Sequence, residues 1–195
     1  MKRIIITLLF ISQALSAQVP SLLGEVKVGA FIPLGQTTQD IYGDALPLVA
    51  VEFDCDWRDN LSLWLMTGAV HKKGRSLGLC YRTELTLVPI AFGLRYTQEF
   101  TECVHPYLGL GPQFTHLSVK NDILFVSVKN NKWLCGGLVK SGVFISLNDV
   151  AFVDIFADFS FLRAYGRACS NPQVYANNAS LNSLLLGVGF GVAFN

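Results

Sequence analysis

The stretch VAVEFDCDW, residues 49–57, decides how this chain is read. Val49, Val51, Phe53, Cys55 and Trp57 fall on one parity. Ala50, Glu52, Asp54 and Asp56 fall on the other. A period of two belongs to an extended strand, whose successive side chains point to opposite faces. One face is therefore apolar and the other carries three carboxylates. Residues 183–194 repeat the split. Leu184, Leu186, Val188, Phe190, Val192 and Phe194 share one face, and Gly187, Gly189 and Gly191 help to line the other.

Composition narrows what such strands build. The chain is 51% hydrophobic and 15% charged, with a mean hydropathy of +0.42. Soluble domains usually carry about 25% charged residues. Past the first twenty residues, no run approaches the ~20 apolar residues of a membrane helix. Two explanations remain: a soluble β protein with a large core, or a barrel that shows its apolar side to lipid. A net charge of +1 gives no electrostatic case for nucleic acid.

Alternation extends to eight segments: 23–34, 47–57, 61–71, 84–96, 104–116, 133–146, 150–163 and 181–194. Each is long enough to cross the hydrocarbon, which takes ~9–11 residues of tilted strand. Soluble strands usually run about five or six. The connections at 35–46, 72–83, 117–132 and 164–180 are long, and those at 58–60, 97–103 and 147–149 are short. Long loops alternating with tight turns mark a barrel whose long loops lie on one side of a membrane. Asp59-Asn60 and Asn148-Asp149 supply turn residues. Segment 84–96 breaks parity, with Leu85 and Leu87 on one side and Ile90, Phe92, Leu94 and Tyr96 on the other. A bulge at Pro89 would turn both sets outward.

An unpaired backbone N–H or C=O in hydrocarbon costs several kcal/mol, so the sheet has to close on itself. The expected fold is all-β: a closed antiparallel up-and-down transmembrane barrel of about eight strands. At that size side chains fill the interior. Inward glycines at 29, 109, 111, 142, 187, 189 and 191 make room for larger groups such as Trp64. The expected lumen charge cluster is Lys27, Glu52, Asp54, Asp56, Arg95, Lys140, Asp154 and Asp158. Lys27 with Glu52, and Lys140 with Asp158, are placed to pair across neighbouring strands. Outward aromatics at Trp57, Tyr96, Phe159, Phe161 and Phe194 suit interfacial girdles.

Residues 1–17 read as a secretory signal. Lys2 and Arg3 precede the apolar run Ile4–Ile11, and Ala14, Ser16 and Ala17 are small. Ser16 and Ala17 both offer a cleavage point, and cleavage after Ala17 leaves residues 18–195 as the barrel domain. Cys55, Cys80, Cys103, Cys135 and Cys169 form no C-x-x-C pair. Export permits disulfides, and Cys80, Cys135 and Cys169 fall at the long-loop end, where they are disulfide candidates.

The signal, the loop alternation and the closing run 187–195 together resemble the small eight-stranded bacterial outer-membrane β-barrel proteins, the OmpA/OmpX-like class. Members typically end in an alternating strand with a terminal aromatic; here Phe194 is penultimate, before Asn195. The resemblance implies integral insertion in a bacterial outer membrane with both termini periplasmic. It implies outer-membrane lipid and lipopolysaccharide as surroundings and the barrel-assembly machinery as a partner during insertion. It carries no activity, because one barrel hosts many functions.

The expected function is a structural or surface-interaction (adhesin-like) anchor with a plugged lumen, its long loops meeting an extracellular or envelope partner. A narrow channel or small-solute carrier is the alternative, and a soluble ligand-binding barrel is a further one. A lipid A-modifying acyl hydrolase rests on His116 and Ser118, which share one face in the spacing some outer-membrane deacylases use. A base beside a hydroxyl could activate it for acyl transfer, but only Asp122 offers itself as an orienter. Val119-Lys120 also stands where that family has Asn-Ala. Asp54 and Asp56 are too few for a calcium site. His71 and His105 lack ligand-like spacing, and no phosphate-loop motif is present. No metal or cofactor is expected.

Overall fold

A computed structural model describes residues 22–58, 60–75, 82–123, 126–164 and 181–194. Eight strands run in chain order: β1 (Leu22–Pro33), β2 (Leu46–Arg58), β3 (Leu61–Arg75), β4 (Arg82–Thr97), β5 (Val104–Ile123), β6 (Val126–Ser146), β7 (Ala151–Ala164) and β8 (Ser183–Phe194). One helix, α1 (Gln36–Tyr42), lies between β1 and β2. Each strand pairs antiparallel with the next, and β1 pairs with β8 from Leu22↔Phe194 to Pro33↔Ser183. The sheet is therefore a closed barrel without free edges at this level, which hydrocarbon demands of a backbone.

The parity of residues 49–57 sorts as the alternation implies. Val49, Val51, Phe53 and Trp57 are exposed, while Ala50, Glu52 and Asp54 are buried. In β8, Val188 and Phe190 are exposed, whereas Ser183 and Leu185 are buried. Outward Val26, Val28, Leu63, Leu65, Phe92, Leu110 and Ile155 continue the belt around the wall. No soluble surface tolerates an apolar band of that extent. Trp57, Tyr96 and Phe194 stand exposed at the end of the wall carrying both chain ends, and Trp133 stands towards the other end. That is the placement of interfacial girdles.

Three expectations are corrected. The parity change in β4 is not a bulge: its register with β3 and β5 runs on without a shift. Leu85 and Leu87 point inward, 3% and 1% exposed. They join Phe31, Leu46, Leu48, Met66, Val70, Leu138 and Leu185 in an apolar plug. Apolar residues on the lumen parity are stable there because they pack against one another inside the barrel. Residues 117–123 and 126–132 are not a loop either. β5 and β6 continue as a ribbon to Ile123↔Val126, since alternation and β-branched residues persist through the polar run. Finally, residues 36–42 of the first long connection are helical. The signal, Asp59, Cys80, Cys169 and the connection 165–180 lie outside the described residues.

Helix α1 brings Tyr42 over the apolar end of the lumen, where its ring is buried with Leu46 and Leu85. Its hydroxyl lies 3.0 Å from Thr83 Oγ1. Gly74 admits this contact, because a Cβ there would collide with Ile41 and the Tyr42 ring. Burial raises the Tyr42 phenol above its ordinary value of 10.0, although the Thr83 hydrogen bond opposes the rise. The folded state thus favours the neutral phenol. Its stabilisation is complete below the ordinary value and is lost as pH climbs above it. Protection factors across α1, which divide out the intrinsic base catalysis of exchange, should fall at strongly alkaline pH, and Tyr42→Phe should remove that fall.

Candidate functional site: the charged lumen

Between the apolar plug and the chain-end mouth lies a layer of buried charge. Lys27 on β1 reaches Asp154 at 2.8 Å, Glu52 at 3.2 Å and Glu25 at 3.4 Å. Lys140 on β6 reaches Glu52 at 2.6 Å and Asp158 at 3.3 Å. Arg95 on β4 reaches Asp54 at 2.9 Å and Glu52 at 3.1 Å. Glu52 thus takes all three cations and is the hub of the network. Such charges persist out of water only when paired and hydrogen-bonded. Aromatic faces add to the pairing. Arg95 lies over Phe144 at 4.5 Å and over Tyr107 at 5.1 Å, and Lys140 lies 5.0 Å from the Trp64 ring. The Tyr107 hydroxyl donates to Asp154 at 2.9 Å.

Small residues clear the space for this layer. A Cβ on Gly109 would stand 3.3 Å from Trp64 Nε1, and one on Gly189 would overlap the Glu25 carboxylate. Higher up, Gln113 donates to Thr115 at 3.1 Å and accepts from Ser160 at 2.7 Å.

Of the eight charged residues expected inside, seven meet in this layer. Asp56 instead stands half-buried at the chain-end mouth, beside Arg95 and Ser62. Glu25 was not foreseen. It sits two residues before Lys27 on the same face, so its parity was the available signal. In register it lies directly opposite Glu52, a like-charge pair that Lys27 bridges. Described and buried, the layer holds Glu25, Glu52, Asp54, Asp154 and Asp158 against Lys27, Arg95 and Lys140.

His116 and Ser118 share the outward face of β5, half-buried. The His116 ring packs edge-on against Trp133 with centroids 5.1 Å apart. By register Ser118 lies between Thr86 and Asn131, so its cross-strand neighbours are neutral. The Asp122 side chain lies outside the described residues. His71 Nδ1 lies 3.1 Å from Thr86 Oγ1, and His105 lines the chain-end mouth. Cys55, Cys103 and Cys135 are free thiols.

An apolar wall, a filled lumen and eight antiparallel strands in simple up-and-down order define the class: a small barrel with the fold of the outer-membrane proteins. No protein-family model matches the chain, and no curated protein sequence does. Solved structures are similar in fold. OprG from Pseudomonas aeruginosa aligns with a TM-score of 0.61 at 15% identity, over 91% of this chain and 97% of that one. Neisserial surface protein A aligns with a TM-score of 0.57 at 14% identity, over 90% and 97%. Ail of Yersinia pestis, the attachment invasion locus protein, was solved with the heparin analogue sucrose octasulfate. It aligns with a TM-score of 0.52 at 10% identity, over 88% and 96%.

Proposed function

We propose that the chain is an integral bacterial outer-membrane protein serving as a structural and surface-interaction anchor, with residues 1–17 as its export signal and both termini periplasmic. The observation that carries this reading is the pairing of an apolar outer wall with a lumen closed by side chains. The first fits the barrel to lipid, and the second leaves it a scaffold for what projects beyond the membrane.

Charge supports the orientation. At the end away from the termini, Lys73, Arg82, Lys120, Lys129, Lys132 and Arg163 are exposed. Asp40, Asp44 and Glu84 are the described acids there. Lys73 and Arg82 each lie 3.7 Å from Glu84. A basic rim suits the phosphates of lipopolysaccharide, and the polybasic end then faces outward. Insertion by the barrel-assembly machinery follows from that location.

The projecting element is the β5–β6 ribbon. β6 pairs with β7 only as far as Leu134↔Ala164. From Val126 to Trp133 no described strand covers its second edge. An edge of this kind pairs with an extended segment of a partner, and Lys129 and Lys132 favour an acidic one. Outer-membrane fractionation tests the location: a heat-modifiable band in that fraction is expected, and recovery in the soluble periplasm would refute it. The channel alternative predicts conductance in planar bilayers. The filled lumen predicts silence, and stepwise single-channel currents would overturn the anchor reading.

A further inference from the structure

One side of the barrel is taller than the other. Strands β3 to β6 span 15, 16, 20 and 21 residues, against 12 to 14 for the other four. On β5 the outward residues run Phe114, His116, Ser118 and Lys120, and their partners on β6 are Cys135, Trp133, Asn131 and Lys129. These pairs form successive rungs about 7 Å apart, two residues of strand each. The order is apolar, aromatic, hydrogen-bonding, cationic. Phe114 belongs to the exposed apolar wall. The Trp133 and His116 rings above it are amphipathic, and such rings mark the headgroup level of a membrane. The last rung sets two exposed lysines directly opposite each other. Like charges so placed destabilise a sheet, and an anion seated between them reverses that effect. Glu84 flanks Lys120 on the β4 side, but Lys73 and Arg82 share it, each 3.7 Å away. The row across β3 to β6 thus holds Lys73, Lys120 and Lys129 against one acid. At the same end, β8, β1 and β2 turn Leu184, Ile32 and Pro47 outward.

We propose that this face of β5 and β6 binds the headgroup of a phosphorylated glycolipid from the surrounding leaflet. The inference rests on the membrane location proposed above and assigns the lipid contact to one side of the rim. A phosphate lies between Lys120 and Lys129, where ammonium donors give charge-assisted hydrogen bonds. One rung lower, the Ser118 hydroxyl and the Asn131 amide offer donors and acceptors to sugar hydroxyls. The sugar ring lies towards Trp133, and the acyl chains continue down the wall past Phe114. A soluble anion would use the lysines alone. The unbroken passage from the cationic rung into the apolar wall is what selects a lipid.

The test is a lipid A titration of the full chain refolded in phosphatidylcholine nanodiscs, read by the Trp133 indole N–H and by amide shifts. A saturable response is expected, largest at residues 116–120 and 129–133, with β8 and β1 unmoved. The double variant Lys120→Gln/Lys129→Gln should need about tenfold more lipid A for half-saturation, and a heat-modifiable gel shift should show that it still folds. Lys120→Arg/Lys129→Arg keeps the charge and should respond as the wild type does. Lys72→Gln removes a cation from the opposite parity at the same end and should change nothing. Absence of saturation, an equal loss in Lys72→Gln, or inorganic phosphate alone moving Trp133 as lipid A does would each overturn the proposal. A chain that inserts and ignores lipid A refutes this site while leaving the membrane location standing.

Discussion

Replacing Lys27 by methionine is expected to destabilise the folded barrel by about 3–5 kcal/mol, the range for breaking a buried ion pair from one side. Lys27 contacts Glu25, Glu52 and Asp154. Its loss leaves Glu25 and Glu52 directly opposed in register, with no cation between them. It also deepens an imbalance that already favours acid. Methionine matches the stem of the side chain, so the change isolates charge from volume. The opposite deletion should be milder. After Glu52→Gln, Lys27 keeps Asp154, Lys140 keeps Asp158 and Arg95 keeps Asp54. Adding Glu25→Gln to Lys27→Met removes one of the stranded acids and should recover about half of the loss, a coupling that a double-mutant cycle reads directly. Urea-dependent refolding into phospholipid vesicles, followed by gel shift, measures the wild type and each variant, with Glu25→Gln alone completing the cycle. Equal costs for Lys27→Met and Glu52→Gln would show that the acid excess has no energetic weight.

The second large effect belongs to the outer wall. Val188 lies between Val28 and Ile155 in register, and all three are exposed. If acyl chains surround them, Val188→Arg places a guanidinium near the bilayer midplane. The expected cost is about 2–4 kcal/mol. The penalty falls towards the interfaces, so Phe194→Arg at the strand end should cost about 0–1 kcal/mol. Refolding free energies in the same vesicles give both numbers. Equal penalties at the two depths would argue against a lipid-exposed wall.

Much of this fold was legible because side-chain parity in a strand is a local property. VAVEFDCDW separates an apolar face from an acidic one without reference to any partner, and each neighbouring strand adds the same test. Closure followed from backbone satisfaction alone. What parity cannot tell is what fills the far side of the wall. Leu85 and Leu87 are apolar, and the expectation that apolar means lipid sent them outward. The upper lumen is itself filled by apolar side chains, so the same residues are stable inside. Glu25 had the right parity but was passed over beside Lys27, and only the register reveals that it faces Glu52. The ribbon from Leu117 to Lys132 reads as a loop because three Lys and three Asn interrupt the alternation of Leu117, Val119 and Ile123. Its pairing depends on the partner strand, which no local composition encodes. Helix α1 is too short for periodicity to announce it; its place is fixed by Tyr42 and by the gap at Gly74.

The central claim is that acyl chains touch one parity of each strand while the other is sealed from them. Methyl-resolved nuclear Overhauser spectra of the protein in lipid nanodiscs test it most directly. Val28, Val51, Val188 and Ile155 should show cross-peaks to lipid acyl protons, and Leu48, Leu87, Leu138 and Leu185 should show only intraprotein contacts. Acyl cross-peaks at the second group with none at the first would contradict the account.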